Sequence, residues 1–491
     1  MTFFWYDLET FGLNPQYDRI AQFAGVRTDE KLQIIGEPSV LYGRLSPDYL
    51  PKIDACLITG ITPQIANKLG ISEARLVETI DKQLSVPDTC AVGYNSIDFD
   101  DEFIRNLYYR NLRDPYAREW EDGNSRWDLI NLTRATRDLR PKDMNWPPME
   151  KGRVSVKLEL LAKVNGINHE RAHDALSDVY ATIGLARLLR ERRPRLFDWA
   201  LRHRGKKAIR SLVEAEDGAP LIYTSYANFK GRGNTSLICP IAYSPTHSDT
   251  LYAFDLSADP QPLFDLDIEE VRNRVFLSQS VLDEFELERI PLIRIKTNKC
   301  PFLAPMSELT NRASQRLRIN VHLAVDRCKR LRKHDGLEEK VLSAFSRRHG
   351  ADQPQTAENA DSDFQIYEGL FPNEDKQVLK RFSKASPEKL KELDHHFEDA
   401  RIPEMIQRYV GRNFPELLNE QELQQWRRFC GSRLAKPPPA DALGLNAYKI
   451  QLAERKADTE LATAELKILQ SLEDYAVHLE TVIGASPELW Q

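Results

Sequence analysis

Over the first 186 residues, short apolar runs alternate with amphipathic stretches, and that alternation admits little besides an α/β layer fold. Phe3–Leu8, Ile20–Val26, Val40–Leu45 and Thr89–Tyr94 read as strands. Glu73–Leu84, Asp100–Arg110, Leu158–Val164 and Asp174–Leu189 read as helices. A boundary is expected near Arg190–Pro194, where a basic cluster meets a proline. From Pro220 to Ile295 four β-rich runs are separated by turn residues, which predicts a small barrel or sheet. Residues 308–348 return to a helical pattern, and the polar stretch Ala351–Gln365 reads as a linker. The remainder is helical apart from Lys436–Ala440. Near its end Ile468/Leu469, Leu472, Tyr475/Ala476, Leu479 and Val482/Ile483 form a stripe that predicts the packing face of a helical hairpin rather than a partner-binding coil. The chain of 491 residues is long enough for about three domains, expected over 1–190, 194–350 and 355–491.

The charge is unevenly spread. Net values are −6 for residues 1–186, +8 for 187–350 and −8 for 351–491. A basic middle third beside an acidic first third suits a polyanion held next to a cation-binding site. No window is apolar enough for a membrane span, and Asp7 and Glu9 cut short the apolar opening, so neither a membrane protein nor a signal peptide is expected. Six scattered cysteines without a CxxC pair argue against a disulfide framework or a zinc ribbon, and a cytoplasmic protein is expected.

Three acidic stretches carry the chemistry. Asp7 and Glu9 end the first strand, and residues two apart in a strand share a face. Two carboxylates so placed at the edge of a core repel unless a cation lies between them. After the strand ending at Tyr94 comes Asn95-Ser-Ile-Asp-Phe-Asp-Asp-Glu, where any of Asp98, Asp100, Asp101 and Glu102 could be a ligand. Helical phase selects Asp100, which shares a face with Phe103, Ile104 and Leu107. In the third stretch Asp178 heads a stripe with Thr182, Leu185 and Leu189, and a carboxylate there needs an arginine or a metal as partner. His173 lies five residues earlier, at or before the start of that helix. Four carboxylates, no cysteine and at most one histidine favour Mg2+ or Mn2+ over zinc. Two such ions clamp the attacking and leaving oxygens of a phosphodiester, and His173 suits removal of a proton from water at neutral pH.

These residues, as Asp7-x-Glu9-Thr10, Asn95-x-x-x-Phe99-Asp100 and His173-x-x-x-x-Asp178, with Leu57–Pro63, resemble the DEDD exonuclease superfamily in its histidine-containing subgroup. Asp7-Leu-Glu-Thr-Phe-Gly, Asn124–Asp128, Ala172–Ala175, Asp178–Thr182, Pro194–Asp198, Arg232–Ser236 and Asn298–Pro301 resemble a bacterial deoxyribonuclease branch of it. The resemblance implies an RNase H-like exonuclease domain, an SH3-like barrel and a helical C-terminal domain forming a C-shaped body around single-stranded DNA. It implies processive, Mg2+-dependent 3′→5′ hydrolysis that releases 5′-deoxynucleoside monophosphates, with two ions per site and Mn2+ able to substitute. It makes Asp7, Glu9, Asp100 and Asp178 the ligands, Glu9 also a substrate contact, and His173 the general base. A basic residue before the Leu158 helix would touch substrate. It is Lys157 where arginine is expected, which keeps the charge and loses bidentate phosphate binding. Also implied, as partner, is the acidic tail of the single-stranded DNA-binding protein, whose pocket the sequence does not locate; nothing in the sequence demands more than a monomer.

Digesting a flexible strand needs charge along its path and rings for unstacked bases. Arg105, Tyr108, Tyr109, Arg110, Arg113, Tyr116, Trp120, Arg126, Trp127 and Arg134 interleave the two, with about half of the rings expected in the core. Arg105, Tyr116, Trp120 and Arg134 are the expected contacts, joined in the middle third by Arg204, Lys206, Lys207, Arg232, Lys296 and Lys299. The rival readings are an RNA exonuclease of the same superfamily and a non-catalytic scaffold for single-stranded DNA. The roughly 300 residues beyond the first third weigh against the former, and the full set of acids against the latter.

Overall fold

The computed structural model describes residues 1–149, 154–169, 174–226, 233–346, 361–383, 385, 389, 396–458 and 460–484. Its contacts divide the chain into two compact units, one of residues 1–125, 170–180 and 356–491, the other of 126–169 and 181–355.

The first unit is built on β1 (Thr2–Thr10), β2 (Ile20–Thr28), β3 (Ser39–Tyr42) and β4 (Thr89–Gly93). β1 pairs antiparallel with β2 and parallel with β4, and β2 pairs antiparallel with β3. β1 is buried at seven of its nine positions because both of its faces are covered, which is why Phe3–Tyr6 runs apolar without alternating. Phe4, Tyr6 and Leu8 pack with Phe23, with Leu76, Val77 and Ile80 of the Glu73–Leu84 helix, and with Phe103, Ile104 and Leu107 of the Asp100–Arg110 helix.

The last third of the chain belongs to this same unit. Helices Leu445–Lys456 and Thr463–Ile483 form the expected hairpin, and the stripe from Leu469 to Ile483 is buried against Tyr49, Ile53 and Cys56. The expected linker 351–365 needs correction at its end. Ser362–Phe364 is a 3-10 turn, and Asp363, only 1% exposed, is enclosed by arginines. It accepts hydrogen bonds from Arg412 and from Arg433 at 2.7 Å, with Arg408 at 3.5 Å, while Asp48 takes Arg412 at 2.9 Å. A polar composition hid a buried anchor, because the arginines that neutralise it lie about 45 or more residues away in sequence.

The second unit holds the predicted β region as a five-stranded antiparallel sheet. Its order is Phe302–Pro305, Leu221–Thr224, Thr235–Tyr243, Thr250–Asp255, Leu292–Lys296. Ile238, Leu251, Ala253, Ile295 and Leu303 pack there against Ile209 and Leu212. All six cysteines are free and buried. Among the described residues no helix is long and apolar enough to cross a membrane.

Candidate active site

The strand period turns Asp7 and Glu9 to one face of β1, opposite Ala24 and Gln22 of β2. A register irregularity between Glu9 and Thr10 ends the regular pairing just beyond them. The motif continues to Gly12 for a steric reason: a Cβ there would lie 2.1 Å from the buried Asp18 carboxylate, which accepts from Tyr49 at 2.8 Å and Asn14 at 2.8 Å.

The four neighbouring acids differ in their partners. Asp100 opens its helix and accepts the Leu8 N–H at 3.1 Å, which fastens its carboxylate to the β1 backbone at the residue between Asp7 and Glu9. Asp101 faces elsewhere, taking the Tyr6 hydroxyl at 2.6 Å and Arg118 at 2.7 Å. Glu102 pairs with Arg105 at 2.7 Å and accepts from Tyr367. Asp98 is exposed. Asp100, the residue that helical phase selects, is thus the one of the four bonded to the β1 backbone between Asp7 and Glu9.

The Ala175–Arg192 helix brings Asp178 in its first turn. One carboxylate oxygen each of Asp7, Glu9 and Asp178 lies within 4.8 Å of the others. Asp174 caps the helix, accepting the N–H groups of Leu176 at 3.1 Å and Ser177 at 3.3 Å. His173 lies outside the described residues. Sequence reasoning does not single out Asp174, although an aspartate just before a helix is itself a start signal.

Burial and mutual repulsion dominate the electrostatics. Burial, then Asp100, Asp178 and Glu9, raise Asp7 well above the usual carboxylate range. Burial, then Asp178 and Asp174, push Glu9 up to about 7. Carboxylates held this close ionise together only when a cation neutralises them. The donors are all carboxylate oxygens, a set that fits Mg2+ or Mn2+.

The expected strand contacts fall into distinct environments. Trp120 is 66% exposed, a ring in solvent beside the Ala117–Glu119 turn. Arg105 is buried; Glu119 holds its guanidinium at 2.8 and 2.9 Å, and Glu102 takes the other side. Its guanidinium also lies over the Tyr116 ring at 5.2 Å. Arg134 is buried, donates to Asn131 at 2.9 Å and lies over the exposed Tyr226 ring at 5.5 Å. Lys157 and Lys206 are exposed at the starts of the Leu158–Val164 and Lys206–Ala215 helices, and Lys299 is half-buried. Arg232 lies outside the described residues. Tyr108, Tyr109 and Trp127 are core, as expected of about half the rings.

Three family models match in order along the chain: Exonuclease over residues 4–186, Exonuclease I SH3-like domain over 204–347 and Exonuclease I C-terminal domain over 360–479. An exodeoxyribonuclease I of Haemophilus influenzae is 38% identical over 478 residues, covering 97% of this chain and 98% of that protein. The structure of a moderately thermophilic exonuclease I from Methylocaldum szegediense superposes with a TM-score of 0.91 at 40% identity, covering 97% and 99% of the two chains. A zinc-bound complex of Escherichia coli exonuclease I with single-stranded DNA superposes with a TM-score of 0.89 at 38% identity, over the same shares.

Proposed function

The chain belongs to the exonuclease I family, and on that premise we propose that it is a divalent-metal-dependent exonuclease that degrades single-stranded DNA from the 3′ end. The observation that carries this reading is the convergence of Asp7, Glu9 and Asp178 within 4.8 Å, with Asp100 fastened to the backbone between the first two.

Asp7, Glu9, Asp100 and Asp178 would hold two ions, Mg2+ or Mn2+. When bound, these supply a nucleophilic water at neutral pH and neutralise the leaving 3′ oxygen. The protein's own residues do the rest. The carboxylates fix where the scissile phosphate sits, because their positions are set by β1 and two helix starts rather than by loops. His173 takes the proton of the attacking water, a role imidazole suits at neutral pH. Lys157 contributes a point charge to a phosphate, and the exposed Trp120 ring offers a face to an unpaired base. The products are 5′-deoxynucleoside monophosphates, released processively. The net +8 of residues 187–350 supports retention of the strand and of an acidic partner tail, that of the single-stranded DNA-binding protein. We place the enzyme in the cytoplasm as a monomer.

The test is mononucleotide release from 3′-labelled single-stranded DNA, with and without Mg2+, compared with RNA and duplex DNA. Mg2+-dependent release from the single strand is expected. Absence of product removes the enzyme reading, and preference for RNA transfers it to an RNA exonuclease. Asp178→Ala should abolish hydrolysis and leave strand binding measurable; substantial remaining turnover would show that Asp178 is not a ligand.

A further inference from the structure

Beside the carboxylates lies a buried amide to which the proposed chemistry assigns nothing. Gln22 sits directly across from Glu9 in the β1–β2 register, so the two side chains share a face. Its side-chain carbonyl accepts the N–H of Ala175 at 3.1 Å, and its NH2 donates to the Tyr42 hydroxyl at 2.9 Å. The amide orientation follows from the partner, since a backbone N–H can only donate.

Ala175 is the first residue of the helix that carries Asp178. A helix start leaves N–H groups with no partner inside the helix. Here Asp174 takes two of them, from Leu176 and Ser177, and the Asp178 N–H begins the regular ladder by bonding the Asp174 carbonyl at 3.1 Å. The Ala175 N–H remains, and it is satisfied by a side chain from another element. An ordinary cap would come from the helix's own flank. This one comes from the strand paired to the bearer of Asp7 and Glu9.

We propose that Gln22 is a positioning residue for the metal site: it ties the helix start to β2 and thereby sets the spacing at which Asp178 meets Asp7 and Glu9. This rests on the metal-dependent exonuclease reading above and adds to it a residue outside the ligand set. Asp178 lies three residues, less than one turn, beyond the tether, so a shift of the helix start moves its carboxylate by a similar amount. Residues that orient metal ligands from behind typically change metal affinity by about 10- to 100-fold when replaced. Tyr42 orients Gln22 in turn by fixing its NH2 end.

The experiment uses the full-length protein and Gln22→Met, which keeps the length of the side chain and removes both hydrogen bonds. Mn2+ binding is titrated by electron paramagnetic resonance without DNA, and kcat and KM are measured on an oligonucleotide across a Mg2+ series. The expected result is Mn2+ affinity lowered about tenfold and kcat lowered at limiting Mg2+. KM for DNA should stay unchanged, and excess Mg2+ should restore part of the turnover. A residue that only supported the fold would lower the melting temperature without moving the metal dependence. Tyr42→Phe, at a half-buried position, keeps the Ala175 bond and frees the amide; a loss of Mn2+ affinity of about two- to threefold is expected. Wild-type Mn2+ affinity in folded Gln22→Met overturns the proposal, as does a change confined to KM. Should Gln22→Met fail to fold, wild-type Mn2+ affinity in Tyr42→Phe overturns it. A wild-type protein that neither binds Mn2+ nor releases nucleotides refutes the exonuclease reading instead, a result distinct from an active wild type with indifferent variants.

Discussion

Replacing Glu9 by glutamine should stabilise the metal-free protein, and it should do so chiefly at neutral and higher pH. Burial and the neighbouring Asp178 and Asp174 raise Glu9 from an ordinary 4.5 to about 7. Because the folded-state value lies above the unfolded one, the folded state holds the proton more tightly between them. Stability therefore falls as pH rises through that window, and the full cost is reached above the folded value. A rise of that size corresponds to about 3 kcal/mol at pH 8 and to less than about 1 kcal/mol at pH 5. Glutamine has nearly the same shape and no charge to bury. Urea unfolding in the presence of a chelator, from pH 5 to pH 8, should show Glu9→Gln gaining on the wild type by about these amounts. Saturating Mg2+ should reverse the order, because the wild type then gains binding energy that the variant forgoes. A variant no more stable than the wild type at pH 8, or equally stabilised at pH 5 and pH 8, would refute the view that these acids are held together against their own repulsion.

Asp363→Ala should cost about 3–5 kcal/mol in urea unfolding, because it leaves Arg408, Arg412 and Arg433 buried around a missing carboxylate. Burial alone would raise Asp363 and Asp48, but the arginines outweigh it and hold both below the usual carboxylate range. The stability they contribute is therefore fully present above about pH 4 and is lost as pH falls through their folded-state values. A urea midpoint that stays constant down to about pH 2.5 would contradict this. Arg105→Ala should lower the unfolding midpoint and leave the salt dependence of DNA binding unchanged, since its guanidinium is held by Glu119 and Glu102; a shallower salt slope would make it a phosphate contact after all. Trp120→Ala should weaken single-strand binding by about 1–3 kcal/mol, with Trp120→Phe recovering most of it. Anisotropy with a labelled oligonucleotide checks this, and an alanine variant of wild-type affinity would remove the ring from the strand's path.

Much of the site is legible in the amino-acid sequence, for reasons that are local. Asp7 and Glu9 share a face because a strand repeats every two residues, and Asp100 stands out from its neighbours because a helix repeats every 3.6. The terminal hairpin follows from the same kind of periodicity in Leu469, Leu472, Tyr475 and Leu479. Resemblance across three ordered motifs supplies the chemistry that periodicity alone leaves open. The partner of each charge is settled only by tertiary structure. Nothing near Arg105 in the chain says that Glu119, 14 residues on, will hold it. Likewise the polar run around Asp363 does not reveal arginines waiting 45 to 70 residues away. The amide of Gln22 and the N–H of Ala175 are 153 residues apart. Backbone geometry repeats over a few residues and so leaves its mark in local composition, whereas the neutralisation of a buried charge depends on which distant side chain the fold delivers.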